Sequence, residues 1–171
     1  IAVVEYCVKH VNHRVKVIAG AGSNDTSAAV YLSQHAEDSG ADALLHVTPY
    51  YNKASQTGLI KHYEYIADRT ELPVILYNVP SRTGVSFTAE TYQVLSRHPH
   101  INGVKEASGN FSLLAHTKAI CGDDFYIWSG NDDQVVPMMS LGAKGVISVV
   151  ANIAPEIMVQ MTHLCLEDRF Q

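Results

Sequence analysis

Cysteine is scarce in this sequence of 171 residues, and the three that occur, Cys7, Cys121 and Cys165, are odd in number and far apart. A disulfide framework and a Cys-based metal or redox motif are excluded. Free thiols in a reducing, cytoplasmic setting are the expectation. Charge is also thin: 17% of residues are charged, the net charge is -5 and the pI is about 5.9. No basic patch is present, so nucleic acid is not an expected partner. No apolar run reaches the roughly 18 residues that a membrane helix needs, and no signal peptide opens the chain. Histidines are dispersed. The close pairs His10/His13 and His98/His100 have no Cys or acidic companions at metal-ligand spacing, so no metal site is expected. The Gly-rich stretch Ala19–Asn24 (AGAGSN) lacks the third glycine of a dinucleotide fingerprint, and no acidic residue ends the next strand.

What is present is apolar and periodic. Hydrophobic residues make up 47% of the chain, enough for one domain with a sizeable core. Helical spacing runs over Ile1–His13, Asp25–Ser39 (with Asn24 or Ser23 as N-cap), Gln56–Arg69, Thr88–Arg97 with Thr88 as N-cap, Ser112–Ile120, Gln134–Leu141 and Pro155–Gln171. Between these lie short β-type runs at Val15–Ala19, Ala43–Val47, Leu72–Tyr77, Ile101–Lys105, Phe125–Trp128 and Gly145–Val149. Strand and helix alternate, and the strands are apolar throughout, as parallel strands covered on both faces are. Two α/β architectures fit: an open doubly wound sheet, or part of a (β/α)8 barrel. Ile1 is not an initiator Met, a helix is already under way there, and the last helix carries no cap. Residues 1–171 are therefore expected to form a single partial domain, an internal portion of a longer enzyme.

In parallel α/β folds ligands sit at the C-terminal ends of the strands. The residues that follow the strands here are polar and rich in tyrosine: Gly20–Asn24; Thr48, Tyr50, Tyr51 and Asn52; Tyr77, Asn78, Ser81 and Arg82; Lys105 and Glu106; Ser129–Asp132; Ser148 and Asn152. A serine-type triad has no base in this set. Paired carboxylates for glycosyl transfer reduce to Glu106 and Asp132/Asp133, and a side chain next to a strand end can point away. The set does suit imine chemistry. A lysine at a strand tip, as Lys105 is, loses its proton more readily when buried and can attack a carbonyl. The hydroxyl of Tyr77 can donate and accept protons. Arg82 offers a fork for a carboxylate.

Four stretches carry a resemblance: TPYYNK (Thr48–Lys53), YNVPSRTG (Tyr77–Gly84), GVKEASGN (Gly103–Asn110) and GVISVVAN (Gly145–Asn152). In this order and spacing they resemble the dihydrodipicolinate synthase branch of the N-acetylneuraminate lyase family of class I aldolases. The resemblance implies a (β/α)8 TIM barrel, here lacking its first strands and its C-terminal helical domain. It implies condensation of pyruvate with L-aspartate 4-semialdehyde in lysine and diaminopimelate biosynthesis, with no metal or organic cofactor, in a homodimer or homotetramer. Lys105 would form the imine with pyruvate. Tyr77 would pass protons, and Tyr51 would join that relay from a neighbouring subunit. Arg82 would hold the second substrate's carboxylate, Gly130 would line its site, and the main-chain carbonyl of Ile147 would lie beside pyruvate. Gly22, Asn24 and Tyr50 match positions of the family's allosteric lysine site. The acidic residue of that site falls on Ala28, so lysine inhibition is expected to be weak or absent. The rivals are a sibling pyruvate-dependent aldolase or lyase acting on N-acetylneuraminate or a keto-sugar acid, and a catalytically silent barrel.

Overall fold

A computed structural model describes residues 1–170. The elements run α1 (Ala2–Val11), β1 (Ile18–Gly20), α2 (Thr26–Asp38), β2 (Ala43–Val47), α3 (Gln56–Ala67), β3 (Val74–Asn78), α4 (Pro80–Thr83), α5 (Ala89–Leu95), β4 (Ile101–Glu106), α6 (Phe111–Cys121), β5 (Tyr126–Ser129), α7 (Val135–Ser140) and α8 (Pro155–Leu166). Two 3-10 turns, Asp132–Gln134 and Val150–Asn152, flank α7 in sequence. The five strands are all parallel and neighbour one another in chain order, β1 to β5. That sequential order is the barrel's, and it sets aside the doubly wound alternative, in which the order reverses. The fold is an α/β arc of a (β/α)8 barrel.

Helices begin where side chains take up their first free N–H groups. Ser55 accepts from Gly58 N, Thr88 from Thr91 N and Asn110 from Leu113 N. The cap of α2 is Asp25, which accepts from Ala28 N, and not Asn24 or Ser23. The carboxylate is one residue nearer the helix, and it is the stronger acceptor. The last helix ends at Leu166, short of the expected Gln171; Gln171 itself lies outside the described residues. Between sheet and helices Tyr63, Phe87, Tyr92 and Phe125 pack in sequence at centroid distances of 5.5, 4.7 and 5.9 Å. Such contacts add about 1 kcal/mol per pair beyond the area buried.

The expected strand at Gly145–Val149 forms no full ladder. It is reduced to a bridge between Ser129 and Val146, although Lys144 N, Ser129 N and Ile147 N still exchange bonds across it. Two features stop it. Gly145 lies at φ +152°, outside strand geometry. Beyond it the Asp132 carboxylate captures Val149 N and Val150 N at 3.1 and 3.2 Å, turning the chain into a 3-10 turn.

Two strands approach closely at Gly103. A β-carbon there would stand 2.1 Å from the carbonyl oxygen of Tyr126 and 2.9 Å from the Trp128 ring. Both neighbours belong to β5, and the Tyr126 backbone is fixed in the ladder. G103A is expected to cost about 3 kcal/mol, a fall in melting temperature of roughly 6–12 °C for a domain of this size. Thermal unfolding followed by circular dichroism checks it; an unchanged midpoint contradicts the close approach.

Candidate active site

Strand register lines up one row across the sheet: Val47, Tyr77, Lys105 and Trp128. All four are half-buried, whereas the next residues Thr48, Asn78, Glu106 and Ser129 are buried against the helices. Alternation along each strand explains the split. The row faces the concave side of the arc, at the C-terminal tips where ligands of this fold class bind.

Lys105 reaches that side because of a bulge. Val74 pairs with Ile101, yet Ile75 pairs with Gly103, so Asn102 is an extra residue on β4. Ile101 packs with Val74 in the core under the helices. Strict alternation would carry 103 and 105 to that same helix side. The inserted residue flips the parity and turns Lys105 inward, as bulges near functional sites do.

The ammonium nitrogen of Lys105 lies 4.2 Å from the centroid of the Tyr77 ring. Burial lowers the Lys105 pKa below its ordinary value, and the negative charge of Asp132 opposes the shift. Burial raises the Tyr77 pKa, opposed by the Arg82 guanidinium. The two groups are thus flanked by one charge of each sign. Arg82 lies in the last turn of α4 and is exposed. Among the described residues its guanidinium has no hydrogen-bond or ion-pair partner, so its fork is available to a ligand. Asp132 is tied down: Ser148 Oγ and the amides of Val149 and Val150 donate to it, and the Ser148 hydroxyl, donating first among these, holds its carboxyl below the ordinary range. This clamp fixes the loop that follows Ile147. Ile147 N donates to Ser129 O at 2.9 Å, which sets the adjacent backbone at the rim of the row. Gly130 gives the lysine room: a β-carbon there would meet Ala107 Cβ at 2.7 Å and Lys105 Cε at 3.2 Å.

Lys105, Tyr77, Arg82, Gly130 and Ile147 are therefore brought to one end of the arc. Tyr51 is not brought to them within this chain. Its side chain is 88% exposed, its φ is +69°, and its ring meets only that of Tyr50 edge-on at 5.6 Å. Gly22, Asn24 and Tyr50 gather where the loop before α2 meets the loop after β2. Asn52 Nδ2 donates to Asn24 O, and Gly22 passes so near β2 that a β-carbon would stand 2.6 Å from Val47 N. Glu106 turns away from the row into the helix layer and belongs to no carboxylate pair with Asp132 or Asp133. Its adjacency to Lys105 is the signal for that, since neighbours on a strand face opposite sides. Among the described residues no group of three or more His, Cys, Asp or Glu is placed to hold a metal, and all three cysteines are free. Among the described residues no helix is long and apolar enough to cross a membrane.

Known proteins share this fold. The model of the dihydrodipicolinate synthetase family matches residues 1–171. The 4-hydroxy-tetrahydrodipicolinate synthase of Caldicellulosiruptor saccharolyticus is 53% identical over 154 residues, covering 90% of this chain and 52% of the relative. The structure of a chloride-inhibited dihydrodipicolinate synthase from Acinetobacter baumannii complexed with pyruvate superposes with a TM-score of 0.95 at 42% identity, over 98% of this chain and 58% of that one. A dihydrodipicolinate synthase variant described as the first monomeric one gives 0.95 at 39% identity, over 99% and 58%. The chain spans about half the length of the curated relatives it matches.

Proposed function

The chain belongs to the dihydrodipicolinate synthetase family, and from that premise we propose that it carries the imine-forming part of a lyase that condenses pyruvate with L-aspartate 4-semialdehyde to 4-hydroxy-tetrahydrodipicolinate, a step toward diaminopimelate and lysine. The observation that carries the reading is Lys105, its amine 4.2 Å over Tyr77 and its pKa lowered by burial.

The chemistry follows from these groups. The free amine of Lys105 adds to the keto carbon of pyruvate, and loss of water gives the imine. Protonated, the imine draws electrons from the neighbouring methyl carbon, which gives up a proton and becomes an enamine nucleophile. That carbon attacks the aldehyde of the semialdehyde. The amine of the semialdehyde then displaces Lys105 from the imine and closes the ring, freeing the lysine. Each addition and elimination moves a proton at oxygen or nitrogen, and Tyr77 is the hydroxyl beside the reacting nitrogen. Tyr51 joins the relay from a partner subunit, in a homodimer or homotetramer; its outward position and left-handed backbone support this. The Ile147 carbonyl lies beside pyruvate and Gly130 lines the second substrate's site. Gly22, Asn24 and Tyr50 form the remnant of a lysine-binding site. Ala28 supplies no charge there, so lysine inhibition is weak or absent. The free cysteines support a cytoplasmic setting, and the reaction uses no cofactor.

We further propose that residues 1–171 are one partial-barrel domain within a longer enzyme. The share of the relatives covered and the single-sided pairing of β1 among the described residues support this. The full-length enzyme is expected to turn over while the 171-residue piece has little activity; equal turnover by both contradicts it. Sibling aldolases share the imine, and Arg82 separates them from the synthase because its partner is a carboxylate. R82L in the full-length enzyme is expected to raise KM for the semialdehyde at least about tenfold, with KM for pyruvate little changed. Steady-state kinetics in both substrates checks it, and preference for a sugar aldehyde over the semialdehyde overturns the assignment.

A further inference from the structure

Among the described residues one carboxylate is buried with no cation beside it. Glu106 is 4% exposed, and among the described residues no Lys, Arg or His forms an ion pair with it. A charge in such a place is retained only when its lone pairs are filled. They are. Oε1 accepts from Asn78 Nδ2 at 3.0 Å and from Ser108 N at 2.8 Å. Oε2 accepts from Asn78 Nδ2 at 3.1 Å and from the Tyr92 hydroxyl at 2.9 Å.

The position of this carboxylate is more telling than its satisfaction. Glu106 and Asn78 are register partners, one residue beyond the partners Lys105 and Tyr77. Asn78 Nδ2 also donates to Ser86 Oγ, in the segment that leaves α4 and so follows Arg82. The main chain repeats the tie: Ala107 N donates to Asn78 O, and Gly130 N to Glu106 O, each at 2.8 Å. The carboxylate also dictates how Asn78 is oriented. Asn78 turns its amide nitrogen to Glu106 although this leaves its buried Oδ1 without a partner. A neutral group at 106 would not enforce that choice.

We propose that Glu106 is a positioning residue: a charged clamp on the helix side of the sheet that holds the tips of β3 and β4 in the register where the Lys105 amine lies over Tyr77. It touches no reacting atom. It acts through Asn78, Ser108 and the strand ends, and the proposal rests on the imine reading of Lys105. Removing the charge loosens the alignment of the amine, the phenol and the bound keto acid while leaving the cavity walls in place. Such a loss falls on the chemical steps more than on binding.

The test uses the full-length enzyme with pyruvate and L-aspartate 4-semialdehyde, at a temperature where circular dichroism shows each variant folded. E106Q keeps size and shape, and is expected to lower kcat roughly 10–100-fold with KM for pyruvate within about threefold. The rate of borohydride trapping of pyruvate should fall in parallel. Y92F removes one donor from the carboxylate and is expected to lower kcat by a smaller factor in the same pattern; it decides the matter if E106Q does not fold. Unchanged kcat in a folded variant, or a rise in KM alone, overturns the clamp. If the wild-type enzyme neither condenses the two substrates nor traps pyruvate, the imine reading itself has failed, and the clamp falls with it for a visibly different reason.

Discussion

Treated with pyruvate and borohydride, the full-length enzyme is expected to gain a permanent adduct on Lys105, and K105A none. Condensation in K105A falls by about four orders of magnitude or more, the scale of losing a nucleophile. The size of the effect follows from the absence of a substitute. Tyr77 and Trp128 flank Lys105 in its row, and neither carries an amine. The other lysines near strand ends, Lys53 and Lys144, are exposed. K105R separates charge from nucleophilicity: it preserves a cation over the Tyr77 ring but offers a guanidinium that stays protonated and forms no stable imine. K105R should therefore be as inactive as K105A while retaining the native melting temperature. The trapping rate in the wild type should rise with pH and reach half its maximum below 10.5, the ordinary lysine value, because burial favours the neutral amine. Peptide mass mapping of the reduced protein reads the outcome. An adduct on another lysine, or one that persists in K105A, removes the basis of the proposed mechanism.

Much of the arc was legible in the chain because parallel strands buried on both faces are apolar runs. Ala43–Val47 and the starts of β4 and α3 stand where those runs place them. Thr88 caps its helix and Pro155 opens one, as their backbone chemistry requires. The candidate site residues stand out as polar groups at strand tips, and the four motifs point to the family that matches the chain. What the chain hid was parity. Nothing in INGVKE marks Asn102 as a bulge, yet without it Lys105 would face the helices. The bulge is imposed by the ladder between β3 and β4, a tertiary fact. Glu106 was hidden for a related reason: its three donors are Asn78, Tyr92 and Ser108, and no local pattern joins the first two to it. The sixth strand does not form although GVISV reads as β-type, because the acceptor that bends the chain, Asp132, lies well before it in sequence.

Acid should weaken this domain between pH 6.5 and 4 through two histidines that the site does not use. His46 lies on the helix side of β2, fully buried, and His62 is buried on α3. Ser33 Oγ donates to Ala29 O, so at 3.0 Å it accepts from His46 Nε2, which fixes the neutral Nε2–H tautomer and leaves Nδ1 unpartnered. His62 Nδ1 meets Thr26 Oγ1 at 2.9 Å and its Nε2 has no partner. Burial lowers both pKa values from 6.5 to about 4, and for His46 the proximity of His62 adds to it. With folded values below the unfolded one, the unfolded chain binds more protons in this window. Stability is therefore full above pH 6.5, falls as pH drops, and levels off below about 4. A shift from 6.5 to about 4 corresponds to roughly 3 kcal/mol per histidine, and the two are not additive because protonating one raises the cost of protonating the other. Urea unfolding at pH 7 and pH 4.5 measures the loss. H46Q preserves a donor to Ser33 but cannot be protonated, so its stability should change less with pH than that of the wild type, and the double variant H46Q/H62Q should change least. Carboxylates contribute equally to all three proteins, so the difference between them isolates the imidazoles. Identical pH slopes in the wild type and the double variant would mean that these rings are hydrated in solution and that the layer between β2 and α3 is looser than the packing around Tyr63 indicates.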